Sequence, residues 1–266
     1  MIDDPLIAAM TIDRTLPLHE SSRRLRDLYP QSPRVYGVAV LADVSPRKWW
    51  PLQSAVTTDR LQLMFSRVSA DMDQRGAARE LASTLIHTVV GRVVALVVLE
   101  GRAWDTGLEN LWVHIDFDGS IDWAGVVDPT VRALPDDPCF ARADGESVRD
   151  GLVRVPSEAA LITWVAHRCH RTLESLFAKL HMVSAGVVSI ATMWHIVGSV
   201  VVTAATQVPQ LAGSDELTAM RRGQAMLDAL ARFGLPVRGR SVSRPRLCPK
   251  PCEIRTALPM LFTSSD

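Results

Sequence analysis

Two cysteines near the carboxyl end have the spacing and the neighbours of a metal-binding pair. Cys248 and Cys252 are separated by three residues, two of which are prolines that prevent a helix there. Arginine and lysine side chains surround the pair and stabilise thiolates, the form in which cysteine ligates soft metal ions. A [2Fe–2S] cluster or a structural zinc ion normally takes four ligands. The pair therefore predicts half of a metal site.

Histidines form a second candidate cluster, on one predicted helix of the C-terminal half. The cluster consists of His167, His170, Glu174 and His181. Successive residues are about 100° apart around a helix, which places the four side chains on one stripe. His170 and His181 are about 16 Å apart along the axis, so only His167 and His170 are close enough to chelate one ion. The opposite stripe is apolar, so we favour a solvated polar face for the four side chains over a metal site, and we expect Cys169 to be buried on the apolar side without a ligand role.

The composition limits the classes to which the chain can belong. Basic and acidic side chains number 29 each in 266 residues, so no surplus of charge indicates a nucleic-acid partner. Four scattered cysteines do not form the framework of a secreted, disulfide-rich domain. The first residues lack the features of a signal peptide, and no nucleotide-binding, serine-hydrolase or zinc-protease motif occurs. We expect a cytoplasmic protein without a nucleotide cofactor.

Residues 182–208 contain no Asp, Glu, Lys or Arg. Their number is sufficient for a helix that spans a bilayer. Hydroxyl, imidazole and amide side chains are spread along the segment, and each of them is costly at bilayer depth. A helix buried in a helical core has the same pattern. We favour the buried helix and keep contact with a membrane as an alternative.

The residue pattern predicts an α+β fold that is predominantly helical: a helical bundle, a small β-hairpin and an irregular C-terminal cysteine tail. Helices are predicted at 14–28, 61–72, 76–99, 157–181, 187–206 and 214–233, with Pro209 stopping the fifth. We expect a short strand at 35–41, with a helix there as the alternative, a turn at 46–51 and a loop at 128–156. The hairpin pairs 111–117 with 121–127 around Asp118-Gly119. Residues 1–236 form one domain, and 237–266 form the tail.

The order of these elements resembles a known family. An aliphatic helix ends in Leu99-Glu100-Gly101-Arg102, and a short β segment follows. Next come a helix with a polar face and a helix that carries Met193-Trp194-His195-Ile196. A last helix leads into an arginine-rich tail with cysteines. Over about residues 35–255 the layout resembles the actinobacterial relatives of the FhuF-type ferric-siderophore reductases.

This resemblance implies an oxidoreductase whose [2Fe–2S] cluster passes one electron to a bound ferric siderophore. The electron donor is not identified by the sequence. The cluster ligands implied by the resemblance are Cys248 and Cys252. The substrate-binding residues expected for an anionic ferric complex are Arg240, Arg244, Arg246 and Trp194, the last at the place of a Leu-Trp-Gly-Asn motif in the family.

The tail differs from the family, which has an adjacent cysteine pair followed by Cys-x-x-Cys. Three explanations are left open: two copies share a cluster in a homodimer, Cys139, Cys169 or a histidine completes the ligand set, or the chain has lost the cluster. An altered reading frame in the tail would give the same pattern. Without a cluster, the chain is a non-catalytic protein that binds an iron complex or another partner. A small membrane-embedded protein is the second alternative.

Overall fold

A computed structural model describes residues 4–117, 119–141 and 150–238 of the chain. Short elements make up its first part. They are α1 (Pro5–Ala8), α2 (Pro17–Asp27), β1 (Val38–Val40), a 3₁₀ turn (Leu41–Asp43), β2 (Trp49–Pro51), α3 (Ser54–Thr57) and α4 (Arg60–Val68). The predicted helices at 14–28 and 61–72 and the strand at 35–41 are confirmed with shorter bounds.

A helix of 27 residues, Gln74–Glu100, forms the centre of the molecule. It consists of α5 (Gln74–Ile86), a π turn (His87–Gly91) and α6 (Arg92–Glu100). Asp73 caps its first turn, and Gly101 ends it at a φ of 64°, in the left-handed region that glycine adopts without strain. Residues 88–98 are all buried. The buried helix predicted at 76–99 is therefore confirmed.

Two small sheets lie beside this helix. The predicted hairpin is confirmed as β4 (Leu111–Ile115) and β5 (Ile121–Val126), with Val113 opposite Ala124. β1 pairs with β5 in parallel and β2 pairs with β4, which gives the order β1-β5-β4-β2. The second sheet consists of β3 (Arg102–Trp104), β6 (Val131–Ala133) and β7 (Leu152–Arg154) in the order β3-β6-β7.

Two predictions for this region are wrong. The turn predicted at 46–51 contains β2, and the loop predicted at 128–156 contains β6, a short helix α7 (Pro138–Ala141) and β7. Strands of three residues are defined by their partners and leave almost no periodic pattern in the sequence. Pro51 fits in β2 because this strand lies at the edge of its sheet, where a missing N–H breaks no ladder.

Three long helices complete the fold: α8 (Glu158–Val183), α9 (Ile190–Ala212) and α10 (Glu216–Arg232). The Ser157 side chain accepts a hydrogen bond from the Ala160 N–H and caps α8, whose start agrees with the helix predicted at 157–181. Pro209 does not stop α9, which continues to Ala212. A proline removes one backbone donor, and here Pro209 is itself buried in the core, which offsets that loss. Asp215 caps α10, which begins two residues after the predicted start at 214.

One hydrophobic core extends from Leu18 in α2 to Val237 after α10. α9 and α10 form a helical hairpin around Gly213, and this hairpin packs on α6. α8 packs on α10 and on α4. The fold is α+β and predominantly helical, as the sequence predicts.

Candidate functional site

Most of the predicted site residues lie outside the part of the chain that the structure describes. They are Arg240, Arg244, Arg246, Cys248 and Cys252. Trp194 is the described member of the set, and it lies in α9 with 4% of its surface exposed. Little of its side chain is therefore accessible to a ligand. Its role in binding a substrate stays a prediction.

Trp194 belongs to an aromatic cluster that joins three helices. Its ring lies 5.0 Å from Phe177 and 5.8 Å from His170, both in α8. His170 in turn stacks on Phe233, just past the end of α10, with ring centroids 5.1 Å apart. His167 lies 6.1 Å from the same phenylalanine ring. The two histidines thus pack against aromatic rings, and burial lowers the pKa of His170.

The solvated histidine stripe predicted on α8 is only partly confirmed. His167 and Glu174 are exposed. His170 is half-buried in the aromatic cluster, and the Nδ1 of His181 lies 3.0 Å from the Val188 carbonyl oxygen. The opposite stripe, including Cys169, is buried as expected.

A shallow apolar groove runs along the outside of this cluster. It has a volume of 580 Å³ and is lined by Ala159, Ala160, Thr163, Trp164, His167 and Phe233. The guanidinium of Arg132 lies 3.8 Å from the centre of the Trp164 ring and holds it in place. Aromatic rings at the edge of a shallow groove favour a flat or bulky organic ligand over a small ion.

The end of the described chain lies close to this cluster. Residues 235–237 cross α9 at Gly198, where a Cβ atom would overlap the carbonyl oxygen of Val237. Only glycine allows such a close approach of the two backbones. Gly198 follows Trp194 by one helical turn. The tail that carries the predicted metal ligands therefore begins beside Trp194.

The described cysteines are poor candidates for the missing ligands. Burial raises the pKa of Cys169 to about 12, and its sulfur lies 3.4 Å from the hydroxyl of Thr106. Cys139 is buried and lies 3.0 Å from the Arg102 guanidinium. In the described ranges, no group of three or more His, Cys, Asp or Glu side chains is arranged to hold a metal ion.

A second candidate site was missed by the sequence analysis. It is a cavity of 490 Å³ beside the π turn, lined by Asp4, Pro5, Gln31, Ser32, Pro33, Arg34, Val35, His87, Arg92, Ile121 and Asp122. π turns inside α-helices occur often at functional sites, because the extra residue changes the direction of the side chains around it.

His87 begins the π turn and forms part of the cavity wall. Its Nε2 donates a hydrogen bond of 2.7 Å to the Val35 carbonyl oxygen, which leaves Nδ1 as the acceptor of a neutral ring. Burial and the nearby charge of Arg92 lower the pKa of His87 to about 4. Gly91 makes room for the ring, since a Cβ atom there would overlap Nδ1.

Arg92 is a cation inside the core, with 2% of its surface exposed. Its guanidinium donates to the carbonyl oxygens of Arg34 at 2.7 Å, Gly37 at 2.5 Å and Asp122 at 3.0 Å. Burial lowers its pKa to about 10, with partial compensation from the Asp122 charge. Its Nε has no hydrogen-bond partner within the described residues. Arg92 thus clamps the chain before β1 and the start of β5 onto the central helix.

The charges around this cavity compensate one another. Arg34 forms ion pairs with Asp4 and Asp122, the first with an N–O distance of 2.6 Å. The second carboxylate oxygen of Asp122 lies 2.7 Å from Nδ1 of His114. Two carboxylates therefore face two guanidinium groups. With largely apolar walls, the cavity suits a neutral molecule better than an anion.

Comparison with protein-family models, with curated proteins and with solved structures found no match. Within the described residues, two helices are long and apolar enough to cross a membrane by length and composition. One is Gln74–Glu100, whose apolar window is 83% buried in the protein core. The other is Ile190–Ala212, whose window is only 39% buried.

Proposed function

We propose that this chain is an iron–sulfur protein of the ferric-siderophore reductase type, which releases iron by one-electron reduction. The observation that supports this proposal is the path of the chain after α10, across Gly198 and beside Trp194. The cysteine tail begins next to an aromatic groove that is large enough for an organic chelator. Redox ligands and a binding surface would thereby share one side of the molecule.

Each part of this surface has a separate task in the proposed reaction. Cys248 and Cys252 would hold the cluster, which supplies a single electron when it is bound. The tail arginines would attract an anionic ferric complex to the same place. Siderophore oxygens are hard donors that bind Fe(III) more tightly than Fe(II). Reduction of the substrate iron therefore weakens its complex and releases the metal.

The aromatic groove would bind the organic part of the substrate. Phe233 and Trp164 offer flat apolar area, and His167 adds a polar edge. His170 stacks on Phe233 and itself packs against Trp194, and these contacts fix the position of the Phe233 ring. Substrate binding and electron transfer would then depend on different residues, which makes them separable by mutation.

The test of the redox role is the replacement of one tail cysteine. Cys248→Ser should abolish visible absorption and, in protein reduced beforehand with one equivalent of dithionite, the release of Fe(II) from an anionic ferric siderophore, here a ferric trihydroxamate that carries a free carboxylate. The far-ultraviolet spectrum should be unchanged. Cys169→Ala is the matched control and should keep colour and activity, because this thiol is buried in the core and burial raises its pKa. Unchanged absorption in Cys248→Ser would exclude the tail as the cluster site.

The test of the binding role is the replacement of Phe233. Phe233→Ala should raise the KM for the ferric trihydroxamate about tenfold and leave the visible spectrum as it is, since the loss of an aromatic contact costs about 1–2 kcal/mol. Tyr29→Ala, which removes an exposed ring elsewhere on the surface, is the control. An unchanged KM in Phe233→Ala would exclude the groove as the substrate site.

A second candidate function is non-catalytic binding of a small ligand in the cavity beside the π turn. The cavity is built entirely from described residues and needs no part of the tail. A cluster-free protein, Cys248→Ser, should then still bind its ligand. Arg34→Gln should weaken that binding, because Arg34 holds the cavity wall to both acidic partners. Titration calorimetry with a ferric trihydroxamate on both variants distinguishes this function from the reductase.

A further inference from the structure

The cavity beside the π turn has two carboxylates in its wall, and both are already paired. Leu6 and Arg34 donate to the Asp4 carboxylate through backbone and side-chain nitrogens. The two oxygens of Asp122 contact the Arg34 guanidinium and the His114 ring. A ligand with a charge of its own would have to break one of these pairs and leave a poorly solvated charge behind. The wall therefore selects against cations and anions alike.

The hydrogen-bonding capacity that is left at the cavity consists of donors. A guanidinium has five N–H groups, and within the described residues Arg34 uses three of them on the two carboxylates. The Arg34 side chain is 34% exposed, so its remaining N–H groups are accessible. Arg92 lines the same cavity, and its Nε lacks a partner in the part of the chain that the structure describes. A ligand that fits these groups supplies an acceptor.

The rest of the cavity wall is mostly apolar. Its apolar side chains are Pro5, Pro33, Val35 and Ile121. The volume of 490 Å³ lies within the range of pockets for drug-sized ligands, about 300–1,000 Å³. Apolar ligand surface gains free energy from burial against such walls, whereas many hydroxyl groups would stay unpaired there.

We propose that this cavity binds a neutral, mostly apolar organic molecule that carries a carbonyl or ring-nitrogen acceptor, and that Arg34 donates to this acceptor. The proposal rests on the second candidate function and names its class of ligand. Neutrality follows from the paired charges, the acceptor from the unused guanidinium donors, and the apolar body from the remaining wall.

One side of the cavity belongs to the first described segment, residues 4–10. Asp4 and Pro5 line the cavity, and the half-buried apolar side chains that follow pack against the four-stranded sheet. The ion pair between Asp4 and Arg34 joins this segment to the chain before β1. A ligand that contacts both sides should stabilise the segment and slow the exchange of its amide hydrogens.

The proposal is tested on the full chain by titration calorimetry and hydrogen-exchange mass spectrometry. Coumarin and 2-quinolinone are neutral and carry a carbonyl group, coumarin-3-carboxylate is an anion, and naphthalene has no acceptor. The two neutral carbonyl compounds should bind with a Kd of about 1 mM or tighter and slow exchange in residues 4–10 and 31–35. The anion and naphthalene should bind about tenfold more weakly or worse.

Arg34→Lys tests the donor. Lysine keeps the positive charge but has only three N–H groups for the two carboxylates, so the affinity for coumarin should fall about fivefold or more. Arg67→Lys, at an arginine that lines a different cavity, is the matched control and should bind coumarin as the wild type does.

Each part of the proposal has a result that would overturn it. Tighter binding of coumarin-3-carboxylate at the same residues would refute the neutral class and leave the second candidate function intact. Equal binding of naphthalene, or wild-type affinity in Arg34→Lys, would refute the donor. Protection only outside residues 4–10 and 31–35 would refute the site. Absence of binding by every probe would refute the ligand class, whereas the titration of Cys248→Ser with a ferric trihydroxamate decides the second candidate function separately.

Discussion

His87 should make the stability of the folded protein depend on pH. The folded protein keeps this imidazole neutral, because burial and the Arg92 charge lower its pKa to about 4. In the unfolded chain the pKa returns to its ordinary value of 6.5. Between these two values the unfolded state binds a proton that the folded state does not. Acid therefore favours unfolding, and stability falls as the pH decreases below 6.5.

The size of the effect follows from the pKa difference. One pKa unit corresponds to about 1.4 kcal/mol, so a decrease from pH 7 to pH 4.5 removes about 2 kcal/mol through this residue alone. An ordinary domain is stable by only about 5–15 kcal/mol, so the loss is a substantial part of the total.

The comparison of wild type with His87→Gln isolates this contribution. Glutamine can donate to the Val35 carbonyl oxygen and does not titrate. We expect the free energy of unfolding in urea, followed by tryptophan fluorescence, to fall by about 2 kcal/mol more in the wild type than in the variant between pH 7 and 4.5. His195→Gln, which removes a histidine outside the cavity, should behave as the wild type. Parallel curves for wild type and His87→Gln would refute the buried, neutral imidazole.

The remaining predictions concern the same region and the loop before β4. Gly91→Ala should lower the melting temperature despite the better helix propensity of alanine, because the new Cβ atom overlaps the His87 ring. A higher melting temperature would contradict this contact. Arg92→Met should lower the free energy of unfolding in urea by about 3 kcal/mol or more, because it leaves three carbonyl groups without their donor. Arg92→Lys should lower it less, and equal losses in the two variants would argue against the clamp. Asn110→Asp should lower the free energy of unfolding by about 2 kcal/mol or more at pH 7, because the side-chain amide donates to the Asp105 and Asp128 carbonyl oxygens. An unchanged stability would show that these two hydrogen bonds do not stabilise the loop.

The sequence predicts those elements whose signals are local. Ser157 caps α8 through its side chain, and Gly101 ends the central helix in the left-handed conformation, as expected from residue type alone. The alternation in β4 and β5 identifies the hairpin for the same reason. By contrast, β1 pairs with β5 across more than eighty residues, and no local pattern specifies that partner.

The cavity beside the π turn could not be predicted because its parts are distant in sequence. Asp4, Arg34, His87, Arg92 and Asp122 come together only in the folded chain. The sequence contains one sign of it: Arg92 is the single charge in an aliphatic run, where it needs a buried partner. At the π turn itself, the His87 ring lies against Gly91 and donates a hydrogen bond to the Val35 carbonyl oxygen, and neither contact is visible in the sequence.

The predicted tail site differs from the cavity, because its residues are close in sequence. Cys248 and Cys252 are neighbours in sequence and are visible there as a pair, but they lie outside the described residues. The structure contributes the point from which the tail starts, at Gly198 on α9, and the groove beside it. The redox role therefore depends on sequence spacing and resemblance, and the binding role on described contacts.

The most direct test of the central proposal is the amount of iron and acid-labile sulfide in protein purified without oxygen. We predict equal amounts of the two, with visible absorption that dithionite bleaches. Protein that contains neither iron nor sulfide would contradict the proposal, and the cavity beside the π turn would then be the leading site.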